Sequence, residues 1–163
     1  MKDMSRWIIK QMFYLRPVAE EFPISLGYGV EGPWRWRLSE SGLWMPGQKN
    51  GVGNHPGMDF DTPEGTLVVA MADGYINKAG WEHPEDKGRG YGQRIRQTVS
   101  LSRWCLTYGH LSHIFVKPGA KVLRGDKLAR TGQTGQTTRP HLHCHLEDPE
   151  GQYHELSFDE HPE

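Results

Sequence analysis

Two histidines set two residues apart, His141 and His143, lie near the end of the chain in the run Pro140-His141-Leu142-His143-Cys144-His145-Leu146. On a strand, side chains at i and i+2 point to one face, roughly 6–7 Å apart. One ring can then hold a cation while the other reaches a molecule beside it. A second constellation stands upstream, His55-Pro56-Gly57-Met58-Asp59, where Pro56 and Gly57 favour a loop leading into a strand over a helix. His55, Asp59 and one histidine of the pair together supply three metal ligands. Two imidazoles and one carboxylate around a tetrahedral ion leave a position for water, which is the pattern of a catalytic zinc site rather than a structural one. With only two cysteines in the chain, Cys105 and Cys144, a Cys-rich structural zinc site is excluded. Cys144 sits between His143 and His145, so alternation turns it away from them, and both cysteines read as small buried hydrophobes.

The elements that must position these side chains read as strands. The chain has 163 residues, enough for one domain with a core, and its 20 glycines and 11 prolines punctuate short apolar runs. Strands are expected over 22–28, 67–71, 75–81, 93–99 and 104–110, with Asp73-Gly74 as a hairpin turn. Residues 30–54 read as a long irregular loop. Within it, Trp34-Arg35-Trp36-Arg37 reads first as a loop anchored by its tryptophans and second as a cleft wall that touches sugar or peptide. Met4, Trp7, Ile8, Met12 and Leu15 have helical spacing, and Pro17 would end that helix. The expected architecture is a single, mainly β, antiparallel domain, a folded or sandwich-like sheet with a loop-walled groove and a short N-terminal helix. Its expected division is a helical segment over 1–22, the domain over 23–157 and a tail over 158–163.

Nineteen Lys and Arg against twenty Asp and Glu give a net charge of -1, which favours neither nucleic acid nor an anionic membrane as partner. No run approaches the ~20 apolar residues of a membrane span. The N-terminus does not read as a secretory signal, because Ile8-Ile9 is followed at once by Lys10-Gln11.

Four segments in order narrow the reading: His55-x-x-x-Asp59; Tyr108-x-His110-Leu111; the stretch 116–131 running on to Thr134-Gly135; and Pro140-His141-Leu142-His143. Around them stand Gly57-Met58-Asp59-Phe60, Thr62-Pro63-Glu64-Gly65-Thr66, Ala72-Asp73-Gly74, Lys117-Pro118-Gly119 and Arg124-Gly125-Asp126. From about residue 23 to 156 the chain resembles the lysostaphin-like (LytM-type) zinc metallopeptidases. The resemblance implies a compact antiparallel β fold and an endopeptidase that cuts stem or cross-bridge peptides of peptidoglycan. It implies one Zn²⁺ per chain, held by His55, Asp59 and His143, with His110 and His141 as the unliganded catalytic histidines. Tyr108, expected on the same strand face as His110, is a candidate substrate contact with Asn54 and Thr138. The expected partner is a wall peptide, the expected state a monomer, and the expected place of action the cell wall, after lysis, on a virion or behind a separate leader.

The chain departs from the family at one point. Where members commonly carry an aromatic residue and then an acid after the second histidine, this chain has Cys144 and His145. If that acid partners a ligand, His145 must replace it or the contact is lost. Two competing readings are a non-catalytic relative that binds wall or regulates a hydrolase, and a zinc amidase or carboxypeptidase. All three ligands and both histidines are present, which favours catalysis.

Overall fold

The computed structural model describes residues 14–34, 36–46 and 53–158. Fourteen strands are found there: β1 (Ile24–Leu26), β2 (Glu31–Gly32), β3 (Trp36–Leu38), β4 (Trp44–Pro46), β5 (Gly53–Asn54), β6 (Met58–Phe60), β7 (Leu67–Val69), β8 (Gly74–Trp81), β9 (Gln93–Val99), β10 (Cys105–Ile114), β11 (Lys121–Val122), β12 (Lys127–Thr131), β13 (Leu142–Glu147) and β14 (Tyr153–His154). The main sheet runs β1-β6-β13-β10-β9-β8-β11, with β12 and β7 branching from β10 and β14 from β13. Its strand pairs are antiparallel, so the mainly β, antiparallel class read from the sequence is the class of the protein. Among the described residues no helix is long and apolar enough to cross a membrane.

Several local expectations need correction. The helix expected over 4–15 lies outside the described residues except for Tyr14 and Leu15. Those two are not helical: their N–H groups donate to Ser157 O and Met71 O, both at 2.9 Å. Of the expected tail only Phe158 is described, and it packs edge-on to Phe60 at 5.7 Å. Residues 30–54 are more ordered than a loop, because their described parts form two small antiparallel ribbons, β2 with β5 and β3 with β4. Asp73-Gly74 does not close a hairpin. β7 pairs with β12 and β8 with β9 and β11, so the chain crosses there from one neighbourhood to another.

The central strands explain how a site can lie inside a small β protein. In β13, Leu142, Cys144 and Leu146 join the core, with Phe60, Ile95, Leu106, Tyr108, Leu111 and Leu128. The alternate residues His143 and His145 face the other way, yet they too are buried. The strand is therefore covered on both faces, on one by hydrocarbon and on the other by the site and its loops. The register aligns that second face. His143 lies directly opposite Asp59 on β6 and opposite Gly109 on β10. Directly opposed residues share a face, so the pleat alone brings Asp59 beside His143.

Gly57 lets β6 and β13 come this close. A Cβ there would stand 2.1 Å from the Cys144 carbonyl oxygen and 2.8 Å from His145 Cβ. Both atoms belong to the paired strand and cannot swing aside. Gly57→Ala is expected to lower stability by about 3 kcal/mol, the upper part of the range for overpacking, as read by urea denaturation. A variant as stable as the parent would show that the strands have room to part.

Candidate metal centre

Three buried side chains meet on the polar side of β6 and β13. Asp59 Oδ1 lies 2.8 Å from His143 Nδ1 and 3.2 Å from His55 Nε2. His55 Nε2 and His143 Nδ1 are 3.1 Å apart. His55, Asp59 and His143 expose 1%, 7% and 3% of their surface. Among the described residues these three form the one group whose ligand atoms could share an ion. His55 is carried by the ribbon that precedes β6. Its N–H donates to Val30 O, and its carbonyl accepts from Gly29 N–H, both at 2.8 Å.

The outer hydrogen bonds decide what these atoms can bind. His55 Nδ1 lies 3.1 Å from the Gly27 carbonyl, which can only accept, so Nδ1 carries the proton and Nε2 presents a lone pair inward. His143 turns the opposite nitrogen outward, its Nε2 lying 3.1 Å from His145 Nδ1. Burial works against the charge on Asp59, but His143 and His55 hold its carboxyl well below the usual carboxylate range. Two imidazole nitrogens and one carboxylate face a single point in a dry interior, where either a ring proton or a cation must lie between them. This donor set fits a divalent metal ion with nitrogen and oxygen preference.

Two further histidines stand beside this group. His141 Nε2 is 3.6 Å from Asp59 Oδ2. His141 Nδ1 lies 3.0 Å from the Arg139 carbonyl and 3.1 Å from Thr137 Oγ1. His110 Nδ1 lies 2.7 Å from the Thr134 carbonyl. The two rings are 4.5 Å apart, and His110 is 6.2 Å from His143. In each ring, when neutral, the carbonyl fixes the proton on Nδ1 and leaves the lone pair on Nε2. Burial, with the charges of His143 and His141, pushes the His110 pKa down to about 4, so the ring is neutral at neutral pH.

His110 reaches this place against strand periodicity. Alternation expects it to share a face with Tyr108, but Tyr108, like Leu106, points into the core. His110 instead adopts a φ of 60°, in the left-handed region that side chains other than glycine seldom occupy. The pairing of β10 with β9 shifts register between Tyr108 and Leu111, and His110 N–H donates to Tyr91 O at 2.8 Å. This bulge turns the imidazole over to the polar side.

Tyr108 is therefore corrected as a substrate contact. It is fully buried, its hydroxyl donates to Gln97 Oε1 at 2.8 Å, and it accepts from Met71 N–H at 2.9 Å. Asn54 is also committed elsewhere. Its Oδ1 accepts from Leu38 N–H at 2.8 Å and its Nδ2 donates to Gly29 O at 2.9 Å, so it braces the ribbons. Thr138 is exposed on the segment between β12 and β13, next to Thr137.

One further residue at the site, Tyr91, carried no motif. Tyr91 stacks on His143 with ring centres 5.0 Å apart at 22° and lies 5.3 Å from His145. A Cβ on Gly109 would come within 3.1–3.4 Å of that tyrosine ring. Trp34 lies 4.8 Å from His55, and Trp36 and Trp44 lie 5.8 and 5.3 Å from Tyr153. The tryptophans thus anchor the ribbons, as one reading of Trp34-Arg35-Trp36-Arg37 expected. Tyr91 has no distinguishing neighbours in sequence, and only the fold brings it over His143.

The family described as Peptidase family M23 matches residues 53–155. The peptidoglycan DD-endopeptidase ShyA of Vibrio cholerae is 33% identical over 119 residues, which is 73% of this chain and 26% of that protein. The glycyl-glycine endopeptidase ALE-1 of Staphylococcus capitis is 34% identical over 116 residues, 64% of this chain and 31% of that protein. A crystal structure of a zinc-containing peptidase from Vibrio cholerae aligns with a TM-score of 0.65 at 26% identity, covering 93% of this chain and 41% of that one. The chain spans less than a third of the length of the curated relatives it matches.

Burial, the first cause in each case, lowers the pKa of His110, His143 and His145. Below the ordinary value near 6.5 the unfolded chain therefore binds more protons than the folded one, so stability falls as pH drops from ~6.5 toward 4. His110 alone accounts for about 2 kcal/mol between pH 6.5 and 5. The metal-free protein is expected to melt about 4–8 °C lower at pH 5 than at pH 7, as read by calorimetry with chelator present. A melting point independent of pH in this window would refute the burial argument.

Proposed function

Since the chain belongs to peptidase family M23, we propose that it is a zinc-dependent endopeptidase. Its substrate is a peptide bond in the stem or cross-bridge peptides of bacterial peptidoglycan, and its place of action is the cell wall. One observation carries the reading. Three lone-pair donors converge within 3.2 Å of one another, and two histidines with unprotonated Nε2 atoms stand beside them.

His55, Asp59 and His143 hold the zinc ion in this proposal. When bound, zinc polarises an amide carbonyl and makes water more acidic at neutral pH. The chain's own residues do the rest. His141, locked by the Arg139 carbonyl and Thr137, keeps Nε2 free to accept a proton from the attacking water. His110, locked by the Thr134 carbonyl, offers a second neutral Nε2 a few ångströms away. A ring that has taken the water's proton becomes a donor, and it can deliver that proton to the leaving amine nitrogen. The carbonyl anchors hold both rings in place throughout, so little reorganisation accompanies the transfer. Tyr91 and Trp34 cover His143 and His55 and keep bulk water from those rings.

Asp59→Ala and His143→Ala are each expected to abolish stoichiometric zinc, measured by elemental analysis of the purified chain. His110→Ala is expected to keep zinc and lose turnover by about 10²–10⁴-fold, measured on purified walls of several chemotypes with fragment masses as the readout. Opened peptide links support the endopeptidase; a freed sugar–peptide amide would instead reveal an amidase. A fully active His110→Ala protein would remove that histidine from the mechanism.

A further inference from the structure

The polar face of β13 continues past the metal ligands. His143 is followed on the same face by His145 and then Glu147. His145 exposes 3% of its surface, with its Nδ1 3.1 Å from His143 Nε2. Its other nitrogen, Nε2, lies 3.9 Å from Glu147 Oε2, beyond hydrogen-bond length, and that carboxylate is itself held by Arg96 at 3.2 Å. Tyr153 closes on the His145 ring edge-on at 5.0 Å, and Tyr91 lies over it at 5.3 Å. Gly57 leaves no slack behind it, since a Cβ there would meet His145 Cβ at 2.8 Å. The ring is held on several sides with one nitrogen aimed at a ligand.

A cation at the three ligands decides where the proton between the two rings lies. His143 Nδ1 faces Asp59 Oδ1 and His55 Nε2, so with a cation present it must be a lone pair, and the proton of His143 sits on Nε2. That buried N–H needs an acceptor, and leaving it without one costs about 1–3 kcal/mol. His145 Nδ1 supplies it. The proton of His145 then lies on Nε2, facing the Glu147 carboxylate at 3.9 Å, a distance of charge attraction and not of a direct hydrogen bond. An acid at this position would do the same task with a full negative charge. Here a neutral imidazole accepts, and the carboxylate is moved one residue pair farther along the strand.

We propose that His145 is a positioning residue for the cation: it accepts the Nε2–H of His143 and so presents the His143 Nδ1 lone pair to the metal. The proposal rests on the zinc reading above but not on the identity of the substrate. Groups that orient a metal-bound histidine in this way typically contribute 10–100-fold to metal affinity.

The test uses the full chain and zinc itself. His145→Phe keeps the ring and removes the acceptor. His145→Asn keeps an acceptor, because its Oδ1 hangs from the same branch point as Nδ1. Zinc affinity is measured by competition with a chromophoric chelator, and fold by circular dichroism and melting of the metal-free proteins. His145→Phe is expected to bind zinc 10–100-fold more weakly, whereas His145→Asn stays within about threefold of the parent. In the zinc-loaded parent, nitrogen NMR of the rings is expected to show a proton on His143 Nε2, coupled across the hydrogen bond to His145 Nδ1. Unchanged affinity in His145→Phe, or a proton on His145 Nδ1, overturns the proposal. If His145→Phe fails to fold, His145→Asn and the ring spectrum of the parent still decide. If zinc behaves as expected but walls are not cut, only the hydrolase reading fails. A parent that binds no zinc ends both.

Discussion

Three lone pairs pressed together inside a protein form an unstable arrangement unless something positive lies between them. His55 Nε2, Asp59 Oδ1 and His143 Nδ1 are within 3.2 Å of one another and almost wholly out of water. A proton on His143 Nδ1, 2.8 Å from the Asp59 carboxylate, relieves this in the metal-free chain, and a bound cation takes that proton's place. Gly27 O binds Nδ1 of His55, and His145 binds Nε2 of His143. The fold therefore builds a buried cluster of electron-rich atoms, and much of the surrounding structure serves to keep it closed.

That closure is expensive in backbone terms. β13 is covered on both faces, which a strand of a small antiparallel protein seldom is. One face packs on Phe60, Tyr108 and Leu111, the other on the site. The close approach of β6 demands Gly57. The entry of His110 demands a left-handed residue and a register shift in the middle of β10. Strain of this kind persists where surrounding packing over-determines it. Here Leu111 and Tyr108 lie fully buried on either side of His110 and hold the bulge in place.

The same logic of anchoring from outside repeats at every ring of the candidate site. A main-chain carbonyl takes Nδ1 of His55, His110 and His141. His143 alone turns its other nitrogen outward and meets a side chain. The difference follows from the sheet. His143 sits mid-strand, where the flanking carbonyls are used in the ladders to β6 and β10, so only a same-face neighbour can reach it. That neighbour is two residues on, and in this chain it is an imidazole.

Types and spacings of residues were enough to determine the ligand candidates and the mainly antiparallel class. The His-x-x-x-Asp and His-x-His spacings single out the ligand candidates, and strand alternation assigns His143 to one face and Cys144 to the other. Periodicity could not place His110 or Tyr108, since a single left-handed residue reverses the alternation that the inference depends on. Nor could it find Tyr91 or the ribbons in the described parts of 30–54, whose positions come from contacts between segments far apart in the chain. The pairing of His143 with His145 was visible as a question in the sequence, at the place where the acid is missing. Only the assembled sheet decided it, because a hydrogen bond between two rings depends on distances that the order of residues does not contain.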